Sequence, residues 1–481
     1  MPSDASPSAG RPDPTVPRSR IARLKALRET DTGRTAELAA ASMLNNAIQL
    51  LFTVLLTRLL GKTGYASLAA LVAAFLILQV SGQAMQAAAA RAIVRWTERG
   101  HQQAYREVWG WTKQAIVLTV LAVVLGVVLR EPLARLIGVD SHPWAAAVLP
   151  VSGTLWLLLC LQRGALQGLR DFDAVAGSIV LEAVLRLGAA VVLVLIGMEV
   201  TGAFAAAPIA FGLLAIGLDR RLRHAHHGGT LPDAAGGERP VPLWQLAGWE
   251  RTVILSLLLV AIMQNVDTIL AKRELAESVA GSYAAAAVAA KAVVWVAVGV
   301  ALQLLPEATR RAVAGEDPHP VLRRAIAFLF LIGVPAILIF VAIPGWLLRT
   351  AFGAGFDSAA SALPLLGTAM LLLSISMMSV QYLSAIGRHR HLVPLLVLAV
   401  AEVALLARQG WSATEFATIV LAAQGAAAVL MLALAWWTPP KPGVALVAAD
   451  EPVAAVPPVP PVPPVDVPGP RGGPGETPAV R

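Results

Sequence analysis

From about residue 38 to residue 437 the chain alternates long apolar runs with short, mostly basic, polar segments. Twelve runs stand out, at about 38–60, 66–90, 113–130, 144–166, 174–198, 200–219, 250–271, 279–304, 324–348, 359–386, 391–409 and 413–437. A helix needs about 20 apolar residues to cross roughly 30 Å of hydrocarbon. These runs are long and do not alternate, which excludes a transmembrane β-barrel. The pattern predicts an all-α integral membrane protein of about twelve transmembrane helices.

The second half echoes the first. LPVSGTLWLLL at Leu149–Leu159 and LPLLGTAMLLL at Leu363–Leu373 share seven of eleven positions at an offset of 214. A basic loop follows each, with Arg170 in one and Arg388 in the other, and then an apolar helix carrying one acid, Glu182 or Glu402. TRLLGKTGYASLAA (Thr57–Ala70) is echoed from Thr268 through GSYAAAA (Gly281–Ala287). Repeated helical halves in a membrane chain point to a transporter whose substrate path lies between them.

Composition agrees. The chain is 57% hydrophobic and 14% charged, with a mean hydropathy of +0.68. The net charge of +8 reads as basic loops at anionic headgroups, not as nucleic-acid binding. The single Cys160 sits within a helix and forms no intrachain disulfide.

Charge also sets orientation. With the N-terminus inside, 28 of the 38 Lys and Arg fall in inner segments and eight in outer ones. Arg186 and Lys291 remain within helices. The bias predicts both termini in the cytoplasm. Helices 1 and 7 then run in the same direction, so the halves are parallel six-helix repeats. The predicted organisation is a basic tail (1–37), an N-lobe (38–219), a cytoplasmic linker (220–248), a C-lobe (249–437) and a Pro-rich tail (438–481). Residues 20–34 read as a basic amphipathic helix or a plain tether. His224, His226 and His227 in the linker have no acid or cysteine nearby, and no metal site is assigned to them. No cleavable signal peptide is expected before the first helix, which is predicted to act as its own insertion signal.

Polar groups in hydrocarbon need partners. Helix 1 carries Asn45, Gln49, Thr53 and Thr57 at four-residue spacing, flanked by Arg58. Helix 2 carries Gln79, Gln83 and Gln86, helix 7 carries Gln264 and Asp267, and helix 8 carries Tyr283 and Lys291. Such stripes either glue a bundle together or line a shared aqueous cavity. Their recurrence in repeat-related helices favours the cavity. Lys291 lies near mid-depth, where a cation faces water, an ion partner or an anionic substrate. Glu182 and Arg186, four apart, form an intrahelical ion pair or an ion-coupling site. Glu402, without a charged neighbour at helical spacing, is a second candidate for coupling or a neutral hydrogen-bonded acid.

The stretches LLTRLLGKTGYASLAALVAAF (55–75), ALQGLRDFDAVAGSIVLEAVLRLG (165–188) and QNVDTILAKRELAESVAGSYAAAAVAAKAV (264–293) resemble the polysaccharide-export and flippase branch of the multidrug/oligosaccharidyl-lipid/polysaccharide (MOP) exporter superfamily. The resemblance spans about 40–437. It implies a MATE-like fold of two six-helix lobes, alternating access, and translocation of undecaprenyl-pyrophosphate-linked sugars for cell-surface polysaccharide. It also implies an H+ or Na+ coupling ion and a bacterial cytoplasmic membrane. A cationic central cavity is common in such proteins, and Lys291 matches it. Lipid II flippases of the superfamily usually carry two more helices, which favours an oligosaccharide substrate over lipid II.

Other readings remain open. A drug/cation antiporter would use Asp267, Glu182 or Glu402 as its acidic site. A transport-inactive scaffold would recruit glycan-assembly proteins through the Pro-rich tail. An enzyme is not expected, because the outer loops are short and hold no paired acids. No cofactor is implied.

Overall fold

The computed structural model of the protein describes residues 31–99, 101–225, 241–249, 251–408 and 410–439. Among them all regular structure is helical. The first succession is α1 (31–60), α2 (62–99), α3 (His101–Val128), α4 (Arg130–Ile137), α5 (Pro143–Gly168), α6 (Phe172–Leu193) and α7 (Glu199–Ala225). After α8 (Leu243–Trp249) the second runs α9 (Arg251–Glu274), α10 (Glu277–Val313), α11 (His319–Ala342), α12 (Pro344–Phe352), α13 (Ala362–Ala385), α14 (Leu392–Leu406) and α15 (Ala413–Trp437). The fourth member of each succession is short, with 8 residues in α4 and 9 in α12. The other twelve follow the order of the twelve predicted apolar runs; among the described residues eight spans are long and apolar enough to cross a membrane, and α14 is a shorter apolar helix.

Two of the longest apolar spans, Ala41–Thr97 and Phe172–His224, are helix pairs joined with almost no loop. Gly61 turns the first at φ 66° and Gly197 the second at φ 90°. A residue without Cβ enters this region freely, so the chain reverses within a residue or two. The run at 324–348 differs from its prediction. It is two helices, because Pro344 opens α12 at its first turn after α11 stops at Ala342. Proline suits a helix start, where its missing N–H is not needed. Helices α2, α7 and α10 also continue past their apolar runs into basic segments.

Each succession builds its own core, and Tyr65, Ala66 and Ala69 of α2 join that of the second. Leu71, Ile93, Trp111, Leu159 and Phe211 are buried in the N-terminal half. Met263, Leu366, Met378, Phe416 and Met431 are buried in the C-terminal half. The outward faces stay apolar: Val117 is 67% exposed, Leu331 70% and Val429 72%. Backbone polar groups paired within helices and apolar faces turned outward are what a bilayer requires.

The end of the predicted linker is not loose chain. Trp111 Nε1 donates to the Val241 carbonyl at 3.0 Å. Val241 N–H donates to Glu107 Oε2 at 2.7 Å, and Leu243 N–H to Gln114 Oε1 at 3.0 Å. Leu243 and Leu246 are buried in the N-terminal core. Residues 241–249 therefore belong structurally to the first half, although they lead into the second. His226, His227, the Pro-rich segment and most of 20–34 lie outside the described residues.

Candidate functional site

The two halves meet where the α1–α2 hairpin packs against α9 and α10. These are the four helices that carry the polar stripes. At the end where α1 turns into α2, small residues bring the halves into backbone contact. A Cβ on Gly281 of α10 would run into the Lys62 carbonyl. The Lys62 ammonium lies over Gly355, and Tyr65 meets Phe356 edge-on at 6.0 Å. The reciprocal contact is also present. Arg273, in the last turn of α9, lies over Gly138, after α4, and donates to the Leu136 carbonyl at 3.3 Å. Each half thus lays a cation from the junction of its first two helices across a glycine beyond the other half's short helix. This arrangement closes the end that the charge pattern assigns to the outside.

The predicted site residues separate into three groups. The first is a buried network in the C-terminal half. Lys291 donates to Asn265 Oδ1 at 3.0 Å and Thr268 Oγ1 at 3.5 Å. Thr268 donates to Asp267 Oδ1 at 3.1 Å, and Tyr283 donates to Asp267 Oδ2 at 3.3 Å. Glu402, fully buried, accepts from Gln424 Nε2 at 3.0 Å, and the same amide reaches the Met263 carbonyl at 2.9 Å. The sequence left water, an ion partner or an anionic substrate open as the partner of Lys291. The structure supplies partners from α9, because the crossing of α9 and α10 sets Asn265 and Thr268 opposite it.

This geometry changes the expected behaviour of Lys291. Removing one member of a buried charged set leaves the other uncompensated, at a cost of about 3 kcal/mol or more. Lys291→Ala should therefore melt well below the parent in detergent. Adding Asp267→Asn should return part of the loss. Unchanged thermal unfolding of Lys291→Ala would show that the network carries no stability.

The second group lies in the N-terminal half. Glu182 and Arg186 are 3.8 Å apart at their closest ion-pair contact. Glu182 has a stronger partner in Arg163, whose Nη2 donates to its Oε2 at 2.9 Å. Arg163 also donates from Nε to Ser178 Oγ at 2.8 Å and from Nη2 to the Ser178 carbonyl at 2.9 Å. The predicted pair is therefore a triad. Arg163 lies within α5, which continues to Gly168, and is buried. Arginine stays charged under essentially all conditions, so two guanidiniums on one carboxylate leave surplus positive charge. Arg163 is held through both Nε and Nη2. Arg186 is not: its Nε is buried without a hydrogen-bond partner. Its guanidinium stands 5.7 Å from the Phe52 ring of α1.

The third group is the amide stripes. Asn45, Gln49, Gln79, Gln86 and Gln264 are half-buried, and Gln83 and Arg58 are exposed. The hydroxyls turn back on their own helix, Thr53 to the Gln49 carbonyl at 3.0 Å and Thr57 to the Val54 carbonyl at 2.8 Å. The side-chain amides of Gln49, Gln79, Gln83, Gln86 and Gln264 form no hydrogen bonds among the described residues. They are available to solvent or substrate. No cluster of three or more His, Cys, Asp or Glu gathers among the described residues.

Arg163, Ser178, Asn265 and Gln424 were missed by sequence reading. The one signal for Gln424 was a lone amide in the alanine-rich LAAQGAAA stretch.

Comparison with known proteins decides the family. Residues 34–306, more than half of the chain, match the family described as polysaccharide biosynthesis protein. The chain belongs to that family. No curated protein matches it in sequence. In fold this polysaccharide biosynthesis protein is similar to an inward-facing multidrug resistance MATE family transporter of the MOP superfamily. The TM-score is 0.66 at 15% identity, covering 84% of this chain and 97% of the other. It is also similar to the lipid II flippase MurJ in an inward closed conformation, with TM-score 0.66, 12% identity, and 86% and 90% covered. An outward-facing MATE transporter superposes less well, at TM-score 0.55 with 16% identity, 86% and 97% covered. The expected polysaccharide family and the expected all-α, MATE-like membrane fold are both borne out. The polysaccharide biosynthesis protein is a multi-pass membrane protein with the helical fold of these transporters.

Proposed function

We propose that this protein flips undecaprenyl-pyrophosphate-linked oligosaccharides from the inner to the outer leaflet of a bacterial cytoplasmic membrane, by alternating access between its halves. The observation that carries the reading is the Arg163–Glu182–Arg186 triad. Its surplus positive charge and the partnerless buried Nε of Arg186 suit a diphosphate. Guanidinium groups bind phosphate oxygens through strong, charge-assisted hydrogen bonds. The unpaired amides of Gln49, Gln79, Gln83, Gln86 and Gln264 suit sugar hydroxyls. The lipid tail stays in the bilayer while the head crosses. Glu402, held by Gln424, is the group assigned to coupling with H+ or Na+. Both termini face the cytoplasm, and glycan-assembly proteins supply the substrate there.

A cation antiporter would need an open acidic site. Asp267 and Glu402 are instead enclosed by Tyr283, Thr268 and Gln424, which favours the anionic substrate. The test is reconstitution in vesicles holding a fluorescent polyprenyl-pyrophosphate-linked oligosaccharide. A membrane-impermeant glycosidase should gain access to the inner-leaflet pool only in protein-containing vesicles. Rapid exchange of a cationic dye with no change in glycan access would sink the proposal in favour of the antiporter.

A further inference from the structure

Away from the contact between the halves, a groove of about 410 Å³ opens on the surface of the N-terminal half between α6 and α7. Leu181 and Leu185 of α6 form one wall, and Leu213 and Leu218 of α7 the other. Gly217 of α7 leaves space that a side chain would fill, with nothing within 4 Å of its missing Cβ. At one end the lining changes to charge, with Asp173 on α6 and Arg221 on α7.

We infer that this groove is a binding site for a zwitterionic, amine-bearing phospholipid of the inner leaflet. Three features argue for that occupant. The first is length. On α6 the groove runs from Asp173 to Leu185, twelve residues, or about 18 Å at 1.5 Å per residue. That is close to the depth of one leaflet of a roughly 30 Å hydrocarbon core. One acyl chain extended along the groove would have its headgroup at the charged mouth.

The second is the position of the mouth. It lies at the start of α6 and the end of α7, on the side where the basic segments collect. Headgroups of the inner leaflet occupy that level. The third is the charge pattern. Arg221 Nε donates to Asp171 Oδ2 at 3.0 Å, which orients the guanidinium. Arg221 is 60% exposed at its side chain, so its other N–H groups are open to a lipid phosphate. Asp173, also exposed, offers its carboxylate to an ammonium. A mouth with both signs matches a phosphate and an amine together. An anionic headgroup would find Asp173 repulsive.

The floor of the groove also touches the charged interior. Ser178 lines it, and its hydroxyl accepts from Arg163. A bound chain therefore covers the edge of the Arg163–Glu182 cluster.

The test uses the full-length protein in nanodiscs with phosphatidylethanolamine carrying a photoactivatable group in its acyl chain. Cross-links should map to the peptides around Leu181 and Leu213, and phosphatidylglycerol should compete poorly. Gly217→Leu fills open space and should fold normally, yet reduce cross-linking about tenfold. Arg221→Gln should do the same, a factor equivalent to one charge-assisted hydrogen bond. Asp173→Asn should raise phosphatidylglycerol to parity with phosphatidylethanolamine, a readout that does not depend on groove volume. Three results would overturn the inference: unchanged cross-linking in a folded Gly217→Leu protein, equal competition by phosphatidylglycerol in the parent, or preferential displacement by a polyprenyl phosphate. The last would assign the groove to the lipid tail of the substrate.

Discussion

Arg186→Gln is expected to abolish most glycan flipping while leaving the protein folded. The reason is the division of labour within the triad. Arg163 makes three hydrogen bonds to Ser178 and Glu182, and this keeps the Glu182 carboxylate satisfied when Arg186 is removed. Arg186 makes a longer contact with Glu182 and keeps a free Nε. Its loss removes one or two charge-assisted hydrogen bonds to phosphate, each about 1.5–3 kcal/mol. That corresponds to a fall of about 100-fold in the rate of glycosidase access, since each 1.4 kcal/mol is tenfold. Arg186→Lys should fall between the two, because charge is kept while the planar fork is lost. Arg163→Gln should behave differently and lower thermal stability, since it strips Glu182 of its short partner. Parent-like flipping by folded Arg186→Gln would remove the triad from the substrate path, and with it the main support for an anionic head.

The second large effect is expected at the seal between the halves. Gly281→Leu places a side chain where the Lys62 carbonyl now sits. Helix backbones cannot approach this closely across a leucine, and overpacking of this kind costs about 1–3 kcal/mol. The cost falls only on the state in which the outer ends touch. A transporter that alternates between two states should therefore shift toward the outward-open one by about tenfold or more. Phe356, buried beside Tyr65 in this seal, reports the shift. A cysteine at that position should label from outside at least several times faster in Gly281→Leu than in Gly281, on the basis of the same arithmetic. Cys160 is buried and should contribute little background. Gly345→Ala is the control, because its nearest neighbours stand at 4.0 Å. Equal labelling rates would mean that the contact between Lys62 and Gly281 does not gate access. The reciprocal contact makes a matching prediction for Gly138, over which Arg273 lies.

Lys62 over Gly355 and Arg273 over Gly138 both close the same end. The repeat detected at Thr57–Ala70 and Thr268–Ala287 supplies this seal twice, once from each half.

Local chemistry was enough for much of this protein. Apolar runs of about bilayer length determine where helices lie, because unpaired backbone cannot remain in hydrocarbon. The charge bias between loops predicts direction for the same electrostatic reason at every loop. The four-residue spacing of Glu182 and Arg186 places them together on any helix. Lys291 stood out because a cation at mid-depth is costly wherever it occurs.

Only tertiary structure decided what these groups touch. Arg163 and Glu182 are brought together by the reversal between α5 and α6, and Lys291 and Asn265 by the crossing of α9 and α10. Glu402 finds Gln424 through the packing of α14 on α15. The short helices α4, α8 and α12 had too few residues to show a membrane-length run. Residues 241–249, polar enough to read as linker, are held by backbone hydrogen bonds to Glu107, Trp111 and Gln114. A glycine in sequence records only the absence of a side chain. That Gly281 and Gly355 both receive Lys62, and Gly138 receives Arg273, depends on the docking of one half on the other. Helical periodicity fixes which residues share a face, but the partner of that face is set by packing between segments far apart in the chain.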